Sequence, residues 1–149
     1  DAAFTVEIGP KQNWVRAPWS ALGMILIEQP ENVYELGASI DKVCELNSLS
    51  NIVSLTGHGI GYSLHELPYI YNAKGDYIRE EIFEGLCFCA ETLIAKRKTN
   101  DKLIERTCID SDGWSIRTRS GRPTSHFETM YCKNEGQIID LLGMTMWSL

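Results

Sequence analysis

Two consecutive stretches of the chain place apolar side chains at the three- and four-residue spacing of an amphipathic helix. Residues 15–29 form the first stretch, and Pro30 ends it because proline cannot continue a helix. Residues 33–48 form the second, and Asn32, followed three residues later by Glu35, is a typical N-cap. The apolar positions are Val15, Trp19, Leu22, Ile25 and Leu26 in the first stretch and Val33, Leu36, Ile40, Val43 and Leu46 in the second. The pattern predicts two successive helices.

Shorter apolar segments on both sides of the helices predict β-strands. Residues 3–8 precede the helices and stop at the breaker pair Gly9-Pro10. The later segments are 52–56, 86–94, 103–109, 114–119, 124–132 and 137–142, with turns at Asp112-Gly113, Ser120-Gly121 and Glu135-Gly136. Helices followed by a run of hairpins predict an α+β fold, in which helices cover an antiparallel sheet. At 149 residues, we expect one domain over residues 1–149.

The composition is that of an ordinary globular protein. Hydrophobic residues make up 44% and charged residues 23%, which argues against disorder. The net charge of −6 argues against a nucleic-acid partner, because phosphate-binding surfaces are basic. No apolar run reaches the roughly 18 residues of a membrane span, and no signal-peptide pattern is visible. Five cysteines without CxxC spacing favour reduced thiols, so we expect a cytoplasmic protein without a disulfide framework.

The first candidate for chemistry is His58, within the sequence Gly-His-Gly-Ile-Gly of residues 57–61. Three glycines in five residues leave the imidazole uncrowded and allow left-handed backbone conformations. A dinucleotide-binding loop is excluded, because its Gly-x-Gly-x-x-Gly spacing is absent. The pair His65-Glu66 lacks the second histidine of a His-Glu-x-x-His zinc helix, which excludes that class of metalloprotease.

The predicted strand 86–94 carries a glutamate within an apolar run. Alternation places Glu91 on one face together with Cys87 and Cys89, opposite three apolar side chains. A buried carboxylate is costly unless it is paired or bound to a metal ion, so Glu91 is a candidate metal ligand. The alternative is a strand-end glutamate that faces water. The two cysteines are interpreted as small hydrophobic residues rather than as thiolate ligands.

A second glutamate lies in the predicted strand 124–132, where alternation places His126 and Glu128 on one face and Phe127 on the other. Together with His58 and Glu91, the chain offers histidine and carboxylate ligands in the order His, Glu, Glu. Such oxygen-rich ligation suits manganese, cobalt, iron or zinc in a two-metal hydrolytic site. It does not suit a structural zinc ion, which prefers sulfur and nitrogen ligands.

Several motifs together resemble the methionine aminopeptidase family, type I, of the pita-bread fold, over essentially the whole chain. They are Gly57-His58-Gly59-Ile60-Gly61, Leu64-His65-Glu66-x-Pro68, Glu91, Asp112-Gly113-Trp114 and Ser125-His126-Phe127-Glu128. The resemblance implies the C-terminal half of a catalytic domain, with the N-terminal half missing. It also implies a metal-dependent aminopeptidase that removes N-terminal methionine from nascent proteins. Its cofactors would be two divalent ions of cobalt, manganese, iron or zinc.

The resemblance assigns a role to each site residue. It implies that the metal ligands are Asp1, His58, Glu91 and Glu128, and that the family's first aspartate has no counterpart in this chain. Glu91 would also be the general base, and His65 would bind the scissile peptide and stabilise the oxyanion. Leu64 and Trp114 would line the methionine pocket.

The chain departs from the family pattern at three positions near these ligands. Thr92 replaces a proline, Thr129 a histidine, and His126 a glutamine. His126 faces the predicted metal site and is a possible extra ligand. These departures leave open a catalytically impaired domain that acts as a binding module. A proline-specific peptidase is a third alternative.

The resemblance also implies the partners. They would be a peptide or nascent-protein N-terminus and a second chain that supplies the missing half, with no nucleic acid or membrane.

Overall fold

The computed structural model describes residues 1–75, 79–97 and 103–144. Within these ranges a 3₁₀ turn, Asn13–Arg16, leads into helix α1, Ala17–Glu28, and helix α2 follows at Val33–Leu46. The strands are β1 Ala3–Phe4, β2 Leu49–Ile52, β3 Gly57–Gly59, β4 Glu66–Ile70, β5 Cys87–Lys96, β6 Ile104–Glu105, β7 Thr107–Ile109, β8 Ile116–Thr118, β9 Thr124–Asn134 and β10 Gln137–Asp140. Both predicted helices are confirmed. No helix in the described ranges combines the length and apolar character needed to cross a membrane.

The two helices begin and end for local reasons. The side chain of Asn32 accepts a hydrogen bond from the backbone N–H of Glu35 (3.0 Å), and its amide donates to the Glu35 carboxylate (3.0 Å). This reciprocal arrangement confirms the predicted cap and satisfies N–H groups that have no partner within the helix. At its C-terminus α1 ends on Gln29, which has left-handed backbone angles and precedes Pro30.

Strands β5 and β9 form the centre of an eight-stranded sheet with the path β1-β9-β5-β2-β6. Strand β10 also pairs with β9, and β3 pairs with both β4 and β5. The prediction of an antiparallel sheet needs one correction, because β2 and β6 are parallel and the sheet is mixed. Strand β2 is antiparallel to β5 and parallel to β6, so β6 lies beyond β2 and runs antiparallel to β5. Strands β7 and β8 form a separate hairpin.

The helices cover one face of this sheet and create the hydrophobic core. Phe88 of β5 and Tyr131 of β9 are fully buried, with ring centroids 5.5 Å apart. The Tyr131 hydroxyl donates to the carbonyl of Leu22 in α1 (2.8 Å), which ties helix and sheet together. Phe127 is also buried on this face, against Trp19 (5.2 Å between centroids). The alternation predicted for β5 and β9 is therefore confirmed, and the opposite face is free for polar side chains.

Two strand predictions were wrong in their limits, and one strand was not predicted. The strand predicted at 3–8 covers only Ala3–Phe4, because the hydroxyl of Thr5 then bonds the backbone N–H and carbonyl of His126 in place of the backbone ladder (2.9 and 3.1 Å). The strand predicted at 52–56 lies mostly between β2 and β3. Strand β4 was not predicted because it contains Pro68, and a proline has no backbone N–H to donate to a strand ladder.

Candidate metal centre

The register of the four strands around β5 and β9 brings the predicted ligands together on the face opposite the helices. Glu91 of β5 lies directly across from Glu128 of β9, and Ala3 of β1 pairs with Glu128 on its other side. In the next row, His58 of β3 pairs with Cys89 of β5. Side chains two residues apart on a strand share a face, so these positions form one continuous patch.

The glycines around His58 allow close approach of backbones. A Cβ at Gly57 would collide with the carbonyl oxygen of Cys89, and one at Gly59 with the carbonyl oxygen of Leu67. None of the glycines at positions 57, 59 and 61 has a positive φ, so the expected left-handed conformations are not present. Glycine is required here because β3 is pressed between β4 and β5, which fixes the His58 imidazole against its neighbours.

The imidazole of His58 is oriented for ligation. It is buried, at 6% exposure, and its Nδ1 lies 2.9 Å from the carbonyl oxygen of Gly59. Because a carbonyl can only accept, Nδ1 carries the proton and Nε2 keeps its lone pair. A backbone carbonyl that holds the second nitrogen is the usual support of a metal-binding histidine.

Two groups of potential ligand atoms meet at His58, each with all its atoms within 4.8 Å of one another. One consists of Asp1, His58 and His65, and the other of His58, Cys89 and Glu128. The rings of His58 and His65 are 4.3 Å apart, in an edge-to-face arrangement. The structure thus places Asp1 beside His58 in one group and Glu128 beside His58 in the other, while the ligand roles of these residues stay predictions. It also places a ring nitrogen of His65 within 4.8 Å of ligand atoms of Asp1 and His58, although His65 was predicted to bind substrate rather than metal.

Glu91 borders the same site from the neighbouring row. Burial, and secondarily the charge of Glu128, raise the pKa of Glu91 from 4.5 to about 7. Burial likewise raises the pKa of Glu128, which is 6% exposed. No described residue donates a hydrogen bond to either carboxylate, although buried carboxylates normally have donors. A buried carboxylate, Glu128, and a half-buried one, Glu91, both without donors and beside an imidazole with a free Nε2, fit a divalent cation.

His126 approaches Glu91 from β9. Its Nε2 is buried without a hydrogen-bond partner and lies 3.8 Å from Glu91 Oε2. Burial lowers the pKa of His126, which favours the neutral ring. A neutral imidazole can orient the Glu91 carboxylate or bind a cation.

The other two departures from the family pattern lie on the helix side of β5 and β9. The hydroxyl of Thr129 donates to Asp140 Oδ1 (3.0 Å), and Thr92 is fully buried. Neither side chain lies among the ligands.

The predicted pocket residues Leu64 and Trp114 are not brought to the site. Leu64 is 54% exposed, and Trp114, beside the β7–β8 hairpin, is 87% exposed. A cavity of about 280 Å³ lies next to the predicted ligands, and neither Leu64 nor Trp114 lines it. It is lined by Thr56, His58, His65, Glu66, Leu67, Tyr69 and Glu91. Leu67 and Tyr69 come from β4, which explains why the sequence did not point to them.

A larger cavity, of about 380 Å³, lies between β1 and the start of α1. Its walls include Phe4, Trp19 and Phe127 but none of the predicted ligands. We therefore place the functional site in the smaller cavity, which holds the histidines and Glu91.

Sequence comparison finds methionine aminopeptidases. The chain is 28% identical over 135 residues to the methionine aminopeptidase of Mycoplasma capricolum, which covers 86% of this chain and 51% of that protein. It is 32% identical over 98 residues to the enzyme of Buchnera aphidicola from Schizaphis graminum, covering 64% and 34%. No family model matches the chain. The chain spans one third to about half of the length of the curated relatives it matches.

Comparison with solved structures also finds methionine aminopeptidases. The crystal structure of methionine aminopeptidase from Thermotoga maritima superposes with a TM-score of 0.81 at 23% identity, covering 94% of this chain and 56% of that one. Prolidase from Pyrococcus furiosus gives a TM-score of 0.54 at 15% identity, covering 93% and 35%. The fold is therefore common to both classes of peptidase, with better agreement for the first. The chain therefore has the pita-bread fold of these peptidases, and its sequence is similar to those of methionine aminopeptidases.

Proposed function

We propose that this chain provides the C-terminal part of a metal-dependent aminopeptidase that removes N-terminal methionine from proteins. The observation that carries the proposal is a pair of ligand groups that share His58: Asp1, His58 and His65 form one, and His58, Cys89 and Glu128 form the other. Glu91 lies across from Glu128 on the same sheet face, and neither carboxylate has a hydrogen-bond donor in the described ranges. These residues would hold two divalent ions. When bound, the ions would lower the pKa of a water molecule and polarise the scissile carbonyl.

Each side chain around the cavity then has a defined task. Glu91 would bind metal and accept the proton of the attacking water as general base. Its raised pKa of about 7 belongs to the metal-free chain. His126, 3.8 Å away, would hold that carboxylate in place. The exposed His65 stands at the cavity wall, where it can donate a hydrogen bond to the carbonyl oxygen of the substrate.

The substrate would be the N-terminus of a peptide or nascent protein. Leu67 and Tyr69 offer apolar surface in the cavity for the first side chain. Trp114 and Leu64, which resemblance assigned to this pocket, would need further residues of the longer protein to enclose them. The type I assignment, the single domain over 1–149 and the cytoplasmic location remain predictions. Because the chain spans about half of its relatives, we also infer that a second chain or segment completes the site.

The test is metal binding followed by turnover. Purified protein would be supplied with cobalt or manganese, and bound metal counted by elemental analysis. Release of methionine from a Met-Gly-Met peptide would be followed by mass spectrometry. His58→Ala should lower metal affinity by at least about tenfold, the low end for disturbing even an indirect metal contact. Tyr62→Ala, a fully exposed residue of the following loop, is the matched control.

The outcomes separate the two candidate functions. Stoichiometric metal that depends on His58, with methionine release, supports the peptidase. Metal without turnover supports a metal-binding domain that needs its other half. If no ion binds in any condition, the peptidase proposal for this chain fails and a binding module becomes the better explanation. A proline-specific peptidase would instead release residues from X-Pro peptides, and the lower TM-score with prolidase disfavours it.

A further inference from the structure

We propose that Cys89 is a metal ligand, and that with His58 and Glu128 it forms a nitrogen, oxygen and sulfur site that selects a thiophilic ion such as zinc. The inference rests on the proposed function, because it concerns one ion position of that same centre. It assigns a role to a residue that the sequence pattern presents as a small hydrophobic side chain in the middle of β5.

The position of Cys89 in the sheet supports this role. Cys89 is fully buried, and its backbone pairs with His58 of β3 on one side and Met130 of β9 on the other. Its sulfur, a ring nitrogen of His58 and a carboxylate oxygen of Glu128 all lie within 4.8 Å of one another. Zinc binds sulfur at about 2.3 Å and nitrogen at about 2.0 Å, so the ligands of one ion lie within about 4.3 Å of each other. A shift of about half an ångström would bring the three donors to one ion.

The N-terminal ammonium group of Asp1 lies beside this site, where it hydrogen-bonds the Cys89 sulfur and its charge favours the ionised form of Glu128. His58 offers Nε2, since Nδ1 is bound to the carbonyl of Gly59. Glu128 is 6% exposed, and no described residue gives it a hydrogen bond. A buried anion without donors is costly, and a cation coordinated also by Cys89 and His58 would remove that cost. When the ion binds, the thiol proton would pass to solvent and the sulfur would coordinate as a thiolate.

Sulfur changes which ion the site should prefer. Thiolate ligands favour zinc and related soft ions, whereas carboxylates alone suit manganese and magnesium. Because His58 has one free nitrogen, it serves one ion only, and Cys89 and Glu128 would complete the set around that ion. We therefore expect this position to bind zinc more tightly than manganese.

The other cysteines differ from Cys89 in their surroundings. Cys44 lies in the core beneath the helices, and Cys108 is exposed on the β7–β8 hairpin. Cys87 and Cys132 pair with each other across β5 and β9. Among the described residues, none of these four belongs to a histidine and carboxylate group of ligand spacing. Cys87, two residues before Cys89 on the same strand face, is thus a matched control.

The experiment uses the whole chain loaded with cobalt as a probe. A cobalt–thiolate bond gives a charge-transfer absorption band in the near ultraviolet. We expect wild type and Cys87→Ser to show the band and Cys89→Ser to lack it. Zinc affinity, measured by competition with a chromophoric chelator, should fall at least about tenfold in Cys89→Ser, while manganese affinity changes much less. Cys89→Thr, which also replaces the thiol with a hydroxyl, should behave like Cys89→Ser if loss of sulfur is the cause.

Failure of this inference can be told from failure of the proposed function. If wild type binds cobalt in a His58-dependent way but shows no thiolate band, Cys89 is not a ligand and the peptidase proposal stands. Equal zinc affinities for wild type and Cys89→Ser lead to the same conclusion. If wild type binds neither cobalt nor zinc, both proposals are overturned. The band reports on the wild-type chain itself, so the test does not depend on the stability of a variant.

Discussion

Glu91 should make the metal-free protein less stable as the pH rises, and the substitution Glu91→Gln should remove that effect. Burial, with a smaller contribution from the charge of Glu128, raises the pKa of Glu91 from 4.5 to about 7 in the folded chain. The folded state therefore holds a proton that the unfolded state has already lost between these values. Stability contributed by Glu91 is fully present below pH 4.5, falls as the pH rises from 4.5 to 7, and stays low above that.

The size of this effect follows from the same two pKa values. Each pH unit between them costs about 1.4 kcal/mol, so the ionised Glu91 destabilises the metal-free fold by about 3 kcal/mol at pH 8. The side chain is 19% exposed, so solvent screens it only partly. Glutamine has almost the same shape and carries no charge at any pH. Glu91→Gln should thus match wild type at pH 4.5 and exceed its stability by about 3 kcal/mol at pH 8.

The assay is urea unfolding of chelator-treated protein at several pH values from 4.5 to 8, with the free energy of unfolding compared between variants. The comparison is necessary because His126, whose pKa burial lowers, contributes stability that rises with pH below 6.5. Because Glu91 lies 3.8 Å from His126 and interacts with the charge of Glu128, the difference between the two proteins reports on Glu91 together with its effect on these neighbours. Glu45→Gln, at an exposed position in α2, controls for the loss of one charge. If the free energies of unfolding of wild type and Glu91→Gln differ by the same amount at every pH, the reasoning is refuted.

Three further predictions address the elements that position the site. Gly57→Ala should destabilise the chain by about 1–3 kcal/mol and abolish zinc binding, because its Cβ would push β3 away from β5. The control Gly23→Ala should do neither, because no atom lies within 4 Å of its Cβ. Thermal unfolding and zinc titration of the two variants measure the difference. Asn32→Ala should lower the free energy of urea unfolding by about 1 kcal/mol, and no change would show that the cap of α2 is dispensable. His126→Ala should weaken metal binding by roughly tenfold in chelator competition if the imidazole holds Glu91, and unchanged affinity would exclude that role.

The sequence predicted the features that depend on local pattern. Both helices follow from apolar spacing, and their ends follow from Pro30 and Asn32, which act through the nearest backbone groups. The site face of the sheet follows from alternation, because residues two apart on β5 or β9 must point the same way. The turn at Glu135-Gly136 was also predictable, since both residues have positive φ in a two-residue hairpin.

Features set by the pairing of strands, rather than by the pattern within one segment, were not predictable in this way. The parallel pairing of β2 with β6 depends on where the chain returns after β5. Strand β4 exists because β3 pairs with it, and its Leu67 and Tyr69 therefore entered the cavity without a local signal. Trp114 was assigned to the pocket by resemblance alone, and in the structure it is exposed. Cys89 was dismissed because its chemical type fits a core position; only the register with His58 reveals its neighbours.

The two faces of the sheet carry separate tasks. Phe88, Phe127 and Tyr131 point to the helices and supply the core, whereas Glu91 and Glu128 point away from it. Replacing Glu91 or Glu128 with glutamine, which has almost the same shape, opens no cavity and relieves the cost of burying a charge. These two substitutions should therefore reduce metal affinity while leaving the metal-free chain as stable or more so. That combination is expected of a functional site maintained at the expense of stability, because residues kept only for packing would destabilise the fold when replaced.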